Sequence, residues 1–473
     1  MGDALDASEQ ALMNFEVSTV HDAFLQAIED NQGTSGDVPV VIPNSPPRGD
    51  NCNDIAWTSA YPQLTQMQHQ YYGDTRTLAR KWPSLVAYQE HLIAAATGGD
   101  PEDGGAYVGL AVCDRFKDWL CGNAQSCCSG CQVRSPGGNS SSCSPKSSSG
   151  DSGSCPVGAE MGGFNYVLGL RAMSDIATVL GNSSAATRYS TLAQTGTTEF
   201  QKFFWNETVQ RYGGDLGAIQ SLTLPALKIG APPAALLPVV VKTLNDDLVE
   251  RTNYTLRVGA VTSKILLNVL SENGLHETAL RTATGTVEPS WGWWWQQGLT
   301  TCAEAFPNTR AADGTGSPHG TLNHIFLCGG IGHWYWKHLV GLTPTSPGFA
   351  TVRIAPKVHD TLGPKSVGGE FLSPKGGIVS NWTITGNGAA AGVALDVSLP
   401  VGVSAATIVV PKPTTGGHPS ASAVIKLGGT TIWDGTKLVG KPPAGIKSAT
   451  DEPAGVAIET TNGIFEFAST RAA

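Results

Sequence analysis

The sequence predicts a mainly helical domain followed by an antiparallel β-sandwich. Three observations lead there. Apolar residues recur at helical spacing from the start of the chain to about Leu342. After Gly341 they alternate in short runs punctuated by Pro and Gly. The 473 residues give enough chain for two or three domains with cores of their own.

In the helical part, Leu85, Tyr88 and Leu92 recur at three and four after Pro83, a residue suited to a first helical turn. Tyr189, Leu192, Phe200 and Phe203 mark a second helix. Ile265, Leu266, Val269 and Leu270 mark a third, closed by Gly274 just past its end. In the β part, Val352 and Ile354 alternate, as do Val393, Leu395, Val397 and Leu399. Ile408 to Val410, Val456 with Ile458, and Phe465 with Phe467 continue the pattern over about 130 residues. The expected division is 1–342 and 343–473. A Cys-, Ser- and Gly-rich insertion at about 121–155 interrupts the first part. Its stretch from Gly137 to Ser154 has too few apolar residues to bury a core and is expected at the surface.

Lys+Arg 30 against Asp+Glu 39 gives a net charge of −9, without the basic excess that nucleic acid or an anionic membrane requires. No apolar run reaches 18 residues; Gly230 to Leu244 is short and broken by three prolines. Seven of the ten cysteines lie between Cys113 and Cys155. They form one tight group without histidine, which suits disulfides better than a zinc ribbon with two separated pairs. Asn139, Asn182, Asn206, Asn253 and Asn381 open N-glycosylation sequons. Both features point to the secretory route. Met1 to Gln10 is polar and acidic and does not resemble a signal peptide, so either the protein is cytosolic or the true start lies upstream.

Three segments carry candidate chemistry. Pro289-Ser290-Trp291-Gly292-Trp293-Trp294-Trp295 places four tryptophans in five positions, too many for one core face. A flat apolar ring with a polar edge suits the face of a sugar, and core packing is the competing reading. Glu304 lies in an apolar stretch, where a carboxylate is costly unless paired or functional. Asn323-His324 opens a glycine-rich, aromatic run to Trp336 that reads as a tightly packed helix entry. There His324 is a candidate donor to a sugar hydroxyl and His333 a structural residue.

Taken together, these segments resemble the catalytic domain of glycoside hydrolase family 78, the α-L-rhamnosidases. The resemblance rests on Pro-Ser-Trp-Gly at 289–292, Gln297-Gly298-x-Thr300-Thr301-x-x-Glu304, and Asn323-His324 about twenty residues on. It extends to the helix Thr262–Gly274, to Trp57-x-x-Ala60, to Tyr72-Gly73-Asp74-x-Arg76, and to the junction at Gly341-Leu342-Thr343-Pro344. It covers about residues 1–415.

The resemblance implies an (α/α)6 barrel, incomplete at its N-terminus, ahead of the β-sandwich. It makes Glu304 the general base of an inverting hydrolysis of terminal α-L-rhamnose. His324 is the sugar-binding histidine, and Trp57 and Trp119 wall the pocket, with Lys117 standing where the family has glycine. Trp291 and Trp293 are further candidate sugar contacts. Met1-Gly2-Asp3-Ala4 resembles the end of a Gly-Trp-x-Gly-Asp-Ala motif, which makes Asp3 a supporting carboxylate. The general-acid glutamate is then expected upstream of Met1. Inversion needs two carboxyls roughly 6.5–9.5 Å apart, one on each side of the bond. The implied partner is a rhamnose-containing glycoside or polysaccharide; no metal or organic cofactor is implied. The alternatives are a non-catalytic or inactive sugar-binding chain and another (α/α)6 carbohydrate enzyme.

Overall fold

The computed structural model describes residues 1–43, 54–98, 108–112, 118, 156–213, 218–304, 306, 323–386 and 391–472. Trp119, Asn139 and the insertion at about 121–155 lie outside the described residues.

Helices occupy the first part: α1 Gly2–Asp6, α2 Ser8–Asn14, α3 Ser18–Asp30, α4 Ile55–Thr58, α5 Ala60–Tyr72, α6 Thr75–Gly98, α7 Pro156–Val179 and α8 Ser183–Phe204. A two-strand hairpin follows, β1 Trp205–Asn206 and β2 Arg211–Tyr212. Then come α9 Ile219–Ile229, α10 Leu237–Asp246, α11 Ala260–Glu272, α12 His276–Thr284, α13 Trp291–Gln296 and α14 Ile331–Trp334. Successive helices pack as hairpins, α5 on α6, α7 on α8 and α11 on α12, around shared apolar faces. Tyr61, Tyr88, Tyr166, Phe164 and Phe200 are fully buried there.

The helix ends have identifiable causes. Gly73 takes φ 73° as the C-cap of α5, a conformation open to glycine without steric cost. One residue on, Asp74 accepts from Arg76 N at 2.9 Å and Thr77 Oγ1 at 2.7 Å, starting α6. Gly274 takes φ 82° just beyond α11, as its position in the sequence implies. Pro83 differs from expectation: it lies inside the 24-residue α6 rather than at its first turn. The helix starts at the Gly73-Asp74 turn, and the proline costs it one internal hydrogen bond.

The remaining strands are β3 Leu342–Pro344, β4 Thr351–Ile354, β5 Ser366–Ser373, β6 Gly376–Thr385, β7 Gly392–Leu399, β8 Ala405–Pro411, β9 Thr414–Thr415 and β10 His418–Pro419. They continue as β11 Ala423–Leu427, β12 Thr430–Trp433, β13 Ile446–Asp451, β14 Gly455–Thr460 and β15 Gly463–Arg471. A six-stranded sheet runs β12-β11-β15-β7-β6-β5 and a five-stranded sheet β13-β14-β8-β4-β3. Every pair in these two sheets is antiparallel except β4 with β8. Val393, Leu395, Val397 and Leu399 alternate inward from one sheet, and Ile408, Val410, Val456 and Ile458 from the other.

The sheets also finish the helical part. Trp382 Nε1 of β6 donates to Leu339 O at 2.7 Å, and Ser380 Oγ donates to Val340 O at 2.9 Å. Both carbonyls close the π-helical turn Tyr335–Val340 that continues α14, where a helix end leaves carbonyls without internal partners. Among the described residues, no helix is long and apolar enough to cross a membrane.

Candidate active site

The site is assembled where α1 meets the segment after Cys302 and the entry to α14. Gly2 lies flat on the indole of Trp57: a Cβ there would fall 2.4 Å from the ring. Trp57 meets Phe326 edge-on at 6.2 Å between centroids, and Phe326 lies 4.2 Å from the His324 ring. The circuit closes on α1, because His324 Nε2 is 3.1 Å from Asp3 Oδ1. His324 Nδ1 accepts from Phe326 N at 3.3 Å. An accepting Nδ1 places the ring proton on Nε2, facing the Asp3 carboxylate. The Asp3 side chain remains 58% exposed, so it is open to a ligand.

Glu304 is half-buried and lies two residues beyond Cys302. Its segment is tied to that of His324 twice. His324 N donates to Cys302 O at 2.8 Å, and Cys302 is disulfide-bonded to Cys328. On its other side, Phe306 stacks on Trp294 at 3.9 Å with the rings 9° apart.

The tryptophan segment divides by depth. Ser290 caps α13, its side chain accepting from Trp293 N at 3.1 Å. Trp291 is buried and donates its indole N–H to Leu327 O at 2.7 Å. Trp294 is buried, Trp293 half-buried and Trp295 exposed. The four rings do not share one core face.

Beneath Asp3 lies a buried charged layer. Lys264 of α11 donates to Leu5 O at 2.7 Å and to Ser8 Oγ at 3.3 Å, and stands 3.7 Å from Glu9. Burial pushes the Glu9 carboxyl up, but His333, Lys264, Lys228 and Lys337 outweigh it and hold the group below its ordinary range. His333 is half-buried, 3.8 Å from Glu9 and 3.4 Å from Asn268. Asp6, one turn beyond Asp3, is 3% exposed. Burial pushes its pKa up to about 7, with Lys264 opposing and Asp118 and Asp3 adding to the rise. Asp118 accepts from Ser221 Oγ at 2.6 Å, Gly259 N at 2.8 Å and Thr262 N at 3.1 Å, and also from Thr262 Oγ1.

Glycine makes this layering possible. A Cβ on Gly329 would fall 2.2 Å from Asp6 O, and one on Gly330 2.3 Å from Lys264 O. Gly332 N donates to Gln10 Oε1 at 2.9 Å. The glycine run ahead of Trp334 therefore brings the entry to α14 against the backbones of α1 and α11, and α14 itself against the Gln10 side chain of α2.

The structure thus brings together Asp3, Trp57 and His324, and joins the Glu304 segment to that of His324. Asp6, Lys264 and the Cys302–Cys328 bond are absent from the candidates read from sequence, and Trp295 enters there only as one of the four tryptophans of its segment. Asp118 was legible only as the neighbour of Trp119. Among the described residues, no group of three His, Cys, Asp or Glu side chains gathers as a metal site.

Helical hairpins closed by a β domain, with carboxylate, imidazole and indole groups around one short helix, define a six-hairpin glycosidase. Residues 1–125 and 164–339 match the profile of the bacterial alpha-L-rhamnosidase 6 hairpin glycosidase domain. Residues 341–423 match the bacterial alpha-L-rhamnosidase C-terminal domain. The chain belongs to this α-L-rhamnosidase family, glycoside hydrolase family 78.

An alpha-L-rhamnosidase of Formosa agariphila is 24% identical over 392 residues, covering 81% of this chain and 37% of its own length. One of Alteromonas sp. is 23% identical over 385 residues, with the same coverage. The solved alpha-L-rhamnosidase from Dictyoglumus thermophilum has a TM-score of 0.78 at 24% identity, covering 100% of this chain and 46% of its own. That of Streptomyces avermitilis, complexed with L-rhamnose, has a TM-score of 0.74 at 20% identity, covering 99% and 38%. The chain spans less than half the length of these relatives.

Proposed function

We propose that this chain carries the rhamnose site of an inverting α-L-rhamnosidase acting on terminal rhamnose of glycosides or polysaccharides. Glu304 acts as general base, deprotonating the attacking water. Asp3 and His324 bind sugar hydroxyls, and Trp57, with Trp119, Trp291 and Trp293, supplies apolar walls. The observation that carries this reading is the joining of the Glu304 and His324 segments beside Asp3. An exposed carboxylate and an N–H donor 3.1 Å apart form a polar pair suited to adjacent hydroxyls.

Activated aryl rhamnosides test the base, because a good leaving group needs little acid assistance. Glu304→Gln should lower hydrolysis of 2,4-dinitrophenyl α-L-rhamnoside by about 10²–10⁴-fold, leave L-rhamnose binding in place, and NMR should show β-L-rhamnose as the first product of the parent chain. Unchanged turnover in Glu304→Gln would remove Glu304 from this role, and α-L-rhamnose as the first product would remove inversion.

Secretion belongs to the same proposal. Asn182, Asn253 and Asn381 are exposed, where an oligosaccharide transferase product is accommodated, and a disulfide is present.

A further inference from the structure

We propose that the cleft between the helical part and the β-sandwich, at the C-terminal end of α5, binds a neutral oligosaccharide. This is a second site, separate from the rhamnose site and independent of that reading. The cleft encloses about 1140 Å³ and is open to solvent. Its walls come from the start of α3, the turn from α5 to α6, and the hairpin of β5 and β6. Trp57 lies just ahead of the other end of α5, whose 13 residues span about 20 Å. The cleft and the rhamnose site therefore stand at opposite ends of that helix.

Packing fixes the walls. Tyr71 meets Phe349 edge-on at 5.9 Å between centroids, and Phe349 lies 4.6 Å from Phe371. All three rings are buried, and they fasten α5 to β5. The residues that follow two of them, Tyr72 and Leu372, line the cleft, one from the helical part and one from the sheet. Tyr72 is held in turn, its hydroxyl accepting from Val17 N at 3.1 Å. A site already in place before its ligand arrives loses little ordering entropy on binding.

The lining selects the ligand. Glu16, Asp22 and Asp74 stand against Arg76 and Arg80, so the formal charges nearly cancel. A polyanion would meet the three carboxylates. A cation would find them engaged: Asp22 pairs with Arg80, Asp74 accepts from Arg76 N and Thr77 Oγ1, and Glu16 accepts from Ser18 N. A neutral polyhydroxylated molecule needs the mixture that is present. The Arg76 guanidinium carries five N–H donors, is 93% exposed, and comes no closer than 3.6 Å to Asp74. Ser18 and Thr19 add hydroxyls that both donate and accept. Leu372, 81% exposed, stands next in the lining to Ser373 and Pro374 and gives an apolar surface for the C–H face of a sugar ring. Pockets of about 300–1,000 Å³ enclose a drug-sized ligand, so a cleft of this size takes several sugar rings rather than one.

The test titrates the full chain by calorimetry with L-rhamnose in excess, so that the rhamnose site is filled. The probes are neutral hexasaccharides of galactan, arabinan, xylan, mannan and rhamnan, with a polygalacturonate hexasaccharide as the anionic control. At least one neutral hexasaccharide should bind the parent, and an Arg76→Ala, Leu372→Ala double variant should bind it about 10-fold more weakly. Each single variant should show part of that loss. Both side chains are exposed, so the variants should keep the parent's melting temperature and its affinity for L-rhamnose. The site is overturned if no neutral hexasaccharide binds, if parent and double variant bind equally, if binding is confined to the polygalacturonate probe, or if L-rhamnose affinity falls in parallel. A parent that fails to bind L-rhamnose but binds a hexasaccharide that the double variant loses would overturn the rhamnose site and leave the cleft standing.

Discussion

His324 Nε2 lies 3.1 Å from Asp3 Oδ1, linking the first helix of the chain to the segment that follows the proposed base. Together with the hydrogen bond from Phe326 N to Nδ1, the contact sets the imidazole tautomer, and under the proposed function the pair would offer a sugar a donor and an acceptor.

Asp3→Asn removes the charge and keeps the shape. A charge-assisted hydrogen bond is about twice as strong as a neutral one, but exposure of Asp3 screens part of that difference. L-rhamnose affinity, measured by calorimetry, should fall about 5- to 10-fold with the circular dichroism spectrum unchanged. Full affinity in the variant would exclude Asp3 from the sugar contacts.

Asp6 predicts a pH-dependent stability. Its folded pKa of about 7 lies above the ordinary 3.8. Below about pH 4 the group is neutral in folded and unfolded chains alike and carries no penalty. Between about pH 4 and 7 the unfolded chain ionises first, and stability is lost on the order of 1.4 kcal/mol per unit of difference. Asp6→Asn cannot ionise. Its melting temperature should therefore gain on the parent as pH rises from 4 to 7.5, and a constant offset across that range would refute the assignment. Lys264, which faces Asp6, should become the more damaging residue to truncate, since it also holds Leu5 O and Ser8.

The Cys302–Cys328 bond closes a loop of 26 residues that contains Glu304 and His324. Loop-closure entropy assigns such a bond about 3 kcal/mol of stability. A Cys302→Ser, Cys328→Ser double variant should unfold at lower denaturant concentration by a corresponding amount. Rhamnoside turnover should fall further than rhamnose binding, because the loop carries the proposed base. An equal fall in both would mean that the bond stabilises the fold without ordering Glu304.

Much of this was readable beforehand, for physical reasons that can be named. The strands were legible because inward and outward residues alternate strictly in β7 and β15. Helix α11 was legible because its apolar spacing ends at Gly274. The glycines at 329, 330 and 332 signalled tight packing, but not that they face Asp6 O, Lys264 O and Gln10. Pro83 misled because a proline in a first turn and one inside a helix share the same local sequence. Pairing of Cys302 with Cys328 was hidden, since neither lies in the cysteine-rich insertion and spacing alone does not reveal contact. Asp6 was missed because a five-residue helix shows no periodicity from which to infer burial. The depth of each tryptophan in α13 depends on Leu327 and Phe306, which arrive from later in the chain.

The hydrogen bonds from Trp382 to Leu339 and from Ser380 to Val340 have a consequence for how such a protein diverges. A recombination event at Gly341 would leave two carbonyls on one product and an indole and a hydroxyl on the other, each stranded in a buried place. An incoming sheet domain is acceptable only if it brings a donor to both register positions. The joint is therefore a compatibility test, and the two parts are expected to be inherited together rather than shuffled as free modules.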